Sequence, residues 1–342
     1  MNRLKPSHII SCLFLLYTLI PGMLQAQQSS QRQPVRIIFD TDMGPDYDDV
    51  GAIAILHALA DSGNCTILAT MASNKHQHIA AVLNVLNTYF NRPALPIGVV
   101  SGDAVNIGAI QKWDSMLVAK YPHTIKQNDE VPDATVLYRK ILAKQPDKSV
   151  TIVTVGFFTN MANLLNSGPD KYSKLNGKAL VEKKVARLVS MAGRFDKEMG
   201  SFKEFNVVKD AKGAKFTFDN WPTPILISGF EIGVGIHTGL PIVNSSLTNS
   251  PVKDVFALSI PLDPNDSKGR MSWDETAVLV AVNGITPYFD TSSGVIIGKE
   301  DGSNNWDSKG SRDAYLVEKM PNIQLEKILN DLIMHQPISR KK

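Results

Sequence analysis

The decapeptide Asp40-Thr41-Asp42-Met43-Gly44-Pro45-Asp46-Tyr47-Asp48-Asp49 carries five aspartates. It separates an apolar, β-like run, Val35-Arg36-Ile37-Ile38-Phe39, from a helix-patterned run between Val50 and Leu59. A strand that gives way to a helix through a Gly/Pro turn puts the turn at the carboxyl edge of a sheet, where open α/β folds bind ligands. Five carboxylates there repel one another unless a cation neutralises them, and an all-oxygen set suits Ca²⁺ or Mg²⁺ better than zinc. One or two aspartates would read as a solvated turn with a helix cap. Five read as a metal site.

Strand and helix patterns alternate through the rest of the chain. Strands are predicted at 35–40, 66–73, 97–100, 151–155, 186–191 and 224–228, and helices at 49–61, 77–90, from 161, at 274–282 and at 323–334. In the second helix Ile79, Val82, Leu83 and Leu86 recur at helical spacing. Such alternation implies an α/β fold with a doubly wound, largely parallel (mixed) β-sheet and helices on both faces. No internal repeat or low-complexity linker interrupts it, so 27–342 is read as one domain. The polar segment 101–133, with Gly102, Gly108 and Pro122, is read either as a lid over the sheet edge or as a plain surface loop.

Residues 1–26 read as a secretory signal peptide: Arg3 and Lys5 form a basic start, Ile9 to Ile20 is apolar, and Ala26 offers a small residue for cleavage. The other reading is a retained anchor, for which the apolar run is short. Cys12 sits too early in that run for a lipoprotein site. A cleaved chain would be secreted or periplasmic, would have no membrane segment, and would keep Cys65 as its one cysteine. Cys65 opens a strand-like run and is read as packing. The formal net charge of +3 is spread over well-mixed signs, which gives nucleic-acid binding no support.

Two short motifs compete for the aspartate stretch. An EF-hand fails because Gly44 and Gly51 take positions that need an oxygen ligand. A haloacid dehalogenase-type phosphatase, with Asp40 as nucleophile and Asp42 as acid, fits the Asp-x-Asp opening and would need a phosphate-binding Ser/Thr and a Lys downstream. The stretch more closely resembles the amino-terminal signature of the inosine-uridine-preferring nucleoside hydrolases, Asp-x-Asp-Pro-Gly-x-Asp-Asp. Here Met43 stands in place of Pro, and two extra residues precede Asp48-Asp49.

Further segments resemble that family in the same order. Val155-Gly156-Phe157-Phe158-Thr159-Asn160 is similar to a strand end whose main-chain carbonyl ligates calcium. Glu204-Phe205-Asn206 matches a triplet that bonds the ribose hydroxyls, and Asn74 falls where an Asn approaches the ribose. Asp274 falls at a helix start where the family places its last calcium ligand. It is preceded by Trp273, where a leaving-group acid, His, is usual.

The resemblance implies a Rossmann-like nucleoside hydrolase fold and Ca²⁺-dependent hydrolysis of the N-glycosidic bond of a ribonucleoside. It implies Asp42, Asp49, the Val155 carbonyl and Asp274 as metal ligands, Asp48 as general base and Asp40 as an outer brace. Asn74, Glu204, Asn206 and Trp273 would touch substrate, Trp273 by stacking on the base. A homo-oligomer, dimer or tetramer, is also implied. The alternatives are the phosphatase and a non-catalytic, calcium-dependent nucleoside- or ribose-binding protein. His76 and His78 are read as entering a helix, where positions two apart do not share a face, so a metal role is set aside and His76 is kept as a base-side contact.

Overall fold

The computed structural model describes Met1, residues 33–198 and residues 201–338. The expected signal segment lies, apart from Met1, outside the described residues, as does Cys12. No helix among the described residues is long and apolar enough to cross a membrane.

Strands β1 (Val35–Thr41), β2 (Cys65–Ala72), β3 (Ile97–Val99), β4 (Val150–Thr154), β5 (Val185–Met191) and β6 (Ile225–Ser228) pair in parallel. The two-residue strands β7 (His237–Thr238) and β8 (Arg270–Met271) pair with each other. Then β9 (Phe289–Gly298), β10 (Asn304–Asp307) and β11 (Asp313–Glu318) extend the main sheet, whose order is β10-β9-β11-β6-β5-β4-β1-β2-β3. β9 runs antiparallel to both β10 and β11, and β11 is parallel to β6. The fold is therefore a doubly wound, largely parallel α/β sheet.

β1 pairs with β2 on one side and β4 on the other. The chain builds outward to β3 in one direction and, after crossing back, to β6 in the other. The carboxyl end of β1 is thus a topological switch point, where neighbouring loops diverge and leave a crevice. The five-aspartate stretch occupies it.

Successive strand residues feed opposite faces. Ile37 and Phe39 pack into one apolar layer with helices Asp48–Asp61, Trp273–Asn283 and Asn322–Ile333; Ile38 packs into the other with Ala134–Leu142, Thr159–Asn166 and Ala211–Asn220. Asp48–Asp61 is buried along nearly its whole length. Gly51 permits this, because a Cβ there would come within 2.2 Å of the buried Glu275 carboxylate.

The antiparallel strands β9 to β11 were not predicted. β9 carries Thr291-Ser292-Ser293 and leaves much of one face exposed, so its apolar signal is diluted. Segment 101–133 also departs from the expected loop: it contains a helix, Trp113–Lys120, and a 3₁₀ turn, Asn128–Glu130. Two turns of helix are too short for periodicity to show, yet Trp113 and Leu117 are fully buried. Cys65 is buried in β2, its thiol pushed up to about 12 by desolvation.

Candidate active site

Thr41 ends β1 and ties down the aspartate turn. Its hydroxyl donates to Asp49 Oδ1 and accepts from the Met43 N–H at 3.0 Å. Asp49 Oδ2 is buried with no hydrogen-bond donor. Asp40 points to the opposite side of the sheet, where its Oδ2 accepts from Tyr138 Oη at 2.8 Å and Asn160 Nδ2 at 2.9 Å. It thereby fastens β1 to two helices, and burial lifts its carboxyl to about 7. Thr159 and Asn160 open the helix that follows β4. Gly156 lets this second loop approach the first: a Cβ there would sit 2.3 Å from the Asp42 backbone nitrogen.

Asp42, Asp46, Asp48, Val155, Glu204, Asn206, Arg270, Trp273 and Asp274 line one cavity of about 430 Å³ together with Phe202, Phe205 and Phe230. A neighbouring cleft of about 780 Å³, lined by Asp103, Asn163 and Lys209 among others, contains none of the aspartate-turn carboxylates. The smaller cavity is the one with chemistry in it. Asp274 reaches it from the first turn of Trp273–Asn283.

Arg270, which no sequence pattern singled out, is the cavity's buried cation. Its guanidinium donates to Asp48 Oδ1 from Nε at 3.0 Å and Nη2 at 2.8 Å, and Nη2 lies 2.9 Å from Asp46 Oδ2. The same group lies over the rings of Tyr47 and Trp273, at 5.0 and 5.1 Å from their centroids. Burial works against its charge, but Asp48 and Asp46 outweigh that and hold it protonated.

The expected substrate contacts differ in how much of their bonding capacity is free. Asn74 is fully buried beneath the cavity and does not line it. Its Nδ2 donates to the carbonyls of Asp42 (2.9 Å) and Ile107 (2.6 Å), and its Oδ1 accepts from the N–H groups of His76 and Ile107. Asn74, expected at the ribose, thus bridges two loops. Glu204 caps helix Phe205–Lys209, accepting from the Asn206, Val207 and Gly193 N–H groups at 2.8 to 3.1 Å. Burial still lifts it to about 7. Asn206 Nδ2 donates to the Val155 carbonyl at 3.1 Å. The Trp273 indole N–H donates to the Phe230 carbonyl at 2.9 Å, and its ring sits beside Phe230 as well as Arg270. Among the described residues no histidine lines the cavity.

The carboxylates suit a hard cation. Burial, and then repulsion from Asp49, Asp46 and Asp48, pushes Asp42 well above the usual carboxylate range; burial and the neighbouring aspartates do the same to Asp49 and Asp274. A divalent ion reverses that sign of interaction. The unpartnered Asp49 Oδ2 is the free acceptor such an ion requires. Oxygens on opposite sides of a calcium ion stand roughly 5 Å apart.

The tightest ligand grouping among the described residues lies elsewhere. One donor atom from each of His76, His78 and Asp114 falls within 4.8 Å of the other two. This corrects the expectation that these histidines diverge, because the helix begins only at Ile79, with His78 at its N-cap. The preceding turn is not bound by helical geometry. His76 does not line the cavity.

A family model described as inosine-uridine preferring nucleoside hydrolase matches residues 37–300. The pyrimidine-specific ribonucleoside hydrolase RihA of Enterobacter sp. (strain 638) is 28% identical over 214 residues, covering 57% of this chain. The matched region spans 60% of the length of that relative. Among solved structures, a plant nucleoside hydrolase, PpNRh1, superposes with a TM-score of 0.65 at 18% identity, covering 88% of this chain and 99% of its own. A purine-preferring ribonucleoside hydrolase from Gardnerella vaginalis gives 0.66 at 15% identity, with 87% and 99% coverage. At such identities these structures bear on the fold alone.

Proposed function

We propose that this chain, which belongs to the inosine-uridine preferring nucleoside hydrolase family, hydrolyses the N-glycosidic bond of a ribonucleoside to give ribose and a free base. The observation that carries this reading is one cavity in which Asp42 and Asp274, more than two hundred residues apart, share walls with Glu204 and Asn206. Asp42, Asp49, the Val155 carbonyl and Asp274 would hold a Ca²⁺ ion. When bound, the ion supplies positive charge that neutralises the carboxylates and coordination sites for water and sugar hydroxyls.

The chain's own residues then divide the work. Asp48 was expected as general base, but its Oδ1 already accepts two hydrogen bonds from Arg270, which hold it in place beside the guanidinium. We assign proton abstraction from the attacking water to Asp42, which lines the cavity and whose two oxygens would let one ligate the ion while the other accepts the proton. Asp48 becomes a positioning residue, its Oδ2 accepting from the Asp274 N–H at 3.4 Å. Clustered carboxylates favour an oxocarbenium-like transition state, whose positive charge grows on the ribose. Glu204 keeps one acceptor site beyond its three backbone bonds for a sugar hydroxyl. Phe202, Phe205, Phe230 and Trp273 give the base an aromatic wall.

The test is release of free ribose from a nucleoside panel with Ca²⁺, for wild type, Asp42→Asn and Asp274→Asn. Turnover lost in both variants and on chelation supports the reading. Saturable nucleoside binding with no ribose released would overturn it in favour of a calcium-dependent binding protein. The same proposal includes export, from the basic start, apolar run and Ala26, and self-association. Amino-terminal sequencing of the exported protein and sedimentation test these.

A further inference from the structure

Outside the cavity, His76 Nε2 lies 2.8 Å and His78 Nδ1 3.1 Å from the same oxygen, Asp114 Oδ2. The two rings stand nearly perpendicular, at 87°, with centroids 5.4 Å apart. Two imidazole nitrogens and a carboxylate oxygen thus converge from two segments of chain on one small volume. Ligands held at about 2.0–2.1 Å on a tetrahedral ion stand roughly 3.3 Å from one another, so the two nitrogen-to-oxygen spacings need to widen by only a few tenths of an ångström.

The surroundings are built for the convergence. The His76 ring packs on Gly108, where a Cβ would come 2.5 Å from Cε1, so only glycine leaves room for it. The His76 backbone N–H is held by Asn74 Oδ1 at 3.1 Å. Asp114 is the second residue of helix Trp113–Lys120, and its side chain is 3% exposed, whereas the two imidazoles are 21% and 25% exposed. An ion can therefore enter from solvent, sit against a fixed carboxylate, and keep at least one water.

We propose that His76, His78 and Asp114 form a binding site for a divalent transition-metal ion, zinc being the best match to two neutral imidazoles and one carboxylate. Calcium takes oxygen ligands and does not suit this donor set. The site is separate from the aspartate cluster, and the proposal does not rest on the hydrolase reading. Its role is a staple. It joins the turn directly after Asn74 to helix Trp113–Lys120, closing the segment whose residues Val105 and Ile107 are already hydrogen-bonded to Lys75 and Asn74. Metal binding there would stiffen the strut under Asp42.

Metal-free protein with any affinity tag removed is titrated with Co²⁺ and then Zn²⁺, with excess Ca²⁺ present to occupy the carboxylate cluster. One Co²⁺ per chain, with the visible absorption of mixed nitrogen and oxygen ligation, displaced by Zn²⁺ and accompanied by a rise in Tm, is the expected result. His78→Gln and Asp114→Asn should each weaken binding by more than the roughly 10–100-fold that loss of an outer partner costs. His123→Gln, whose ring bonds the Tyr121 carbonyl and none of the three ligands, should not. Wild-type crystals soaked in Zn²⁺ should show an anomalous peak among the three side chains, a readout that needs no variant. No binding, no such peak, or binding equal in wild type and both variants would overturn the proposal, leaving two ring N–H donors on one Asp114 oxygen.

Discussion

Arg270 and Asp48 form a buried ion pair in which two guanidinium N–H groups converge on one carboxylate oxygen, at 2.8 and 3.0 Å. The socket for that guanidinium is completed by Asp46 and Tyr47. Both lie in Pro45-Asp46-Tyr47, the stretch before Asp48-Asp49 that is two residues longer than in the motif this chain resembles. The longer turn houses a cation at the edge of the carboxylate cluster. Removing one partner of a buried pair leaves an uncompensated charge and costs about 3–5 kcal/mol. Arg270→Met should lower stability on that scale in urea unfolding. Adding Asp48→Asn should restore part of the loss. Independent, additive effects of the two changes would show that the pair is not coupled.

Asn74 links Asp42 to Ile107 through three hydrogen bonds and holds the His76 N–H with a fourth. Asn74→Ala leaves the buried groups it served unpaired, at about 1–3 kcal/mol. If Asn74 is a strut, the segment near residue 107 should exchange its amide hydrogens faster and KM should rise more than kcat falls. An unchanged exchange pattern with activity abolished would instead make Asn74 a direct substrate contact.

Gly156 is where the loop after β4 touches the Asp42 backbone. A methyl group there has no room at 2.3 Å, so the loops must separate. Gly156→Ala should cost roughly 1–3 kcal/mol, the usual range for overpacking. It should also weaken Ca²⁺ affinity, measured by calorimetry, because Val155 and Asp42 move apart together. Wild-type calcium affinity in this variant would dissociate the two loops from the metal.

Glu204 offers a pH test. Burial raises its carboxyl from the ordinary 4.5 to about 7, so between those values the folded chain binds the proton more tightly than the unfolded chain does. Stability from this group therefore grows as pH falls from about 7 towards 4.5 and is lost as pH rises back through 7. The slope is at most ~1.4 kcal/mol per pH unit. Glu204→Gln should flatten the stability profile of the metal-free protein in that window. A profile parallel to wild type would place the titration on other groups.

Much of this molecule was local enough to be legible in one dimension. Strands β1, β2, β4, β5 and β6 are short apolar runs, and the helices after β1 and β2 carry their own periodicity, so chain order alone implied a parallel sheet with the aspartates at its carboxyl edge. What sequence could not determine is a set of particular partnerships made across the fold. Arg270 is an unremarked basic residue until folding brings it to Asp48, 222 positions away. His76 and His78 diverge on a helix and converge only because the helix starts at Ile79, so that the turn before it can meet Asp114. Asn74 was expected at the sugar by its position in a motif, and its hydrogen bonds to Asp42 and Ile107 became visible only in the fold. Periodicity records which way a side chain faces along its own element. Which group it meets there depends on how distant elements are placed, and that is set by the burial of the two apolar layers.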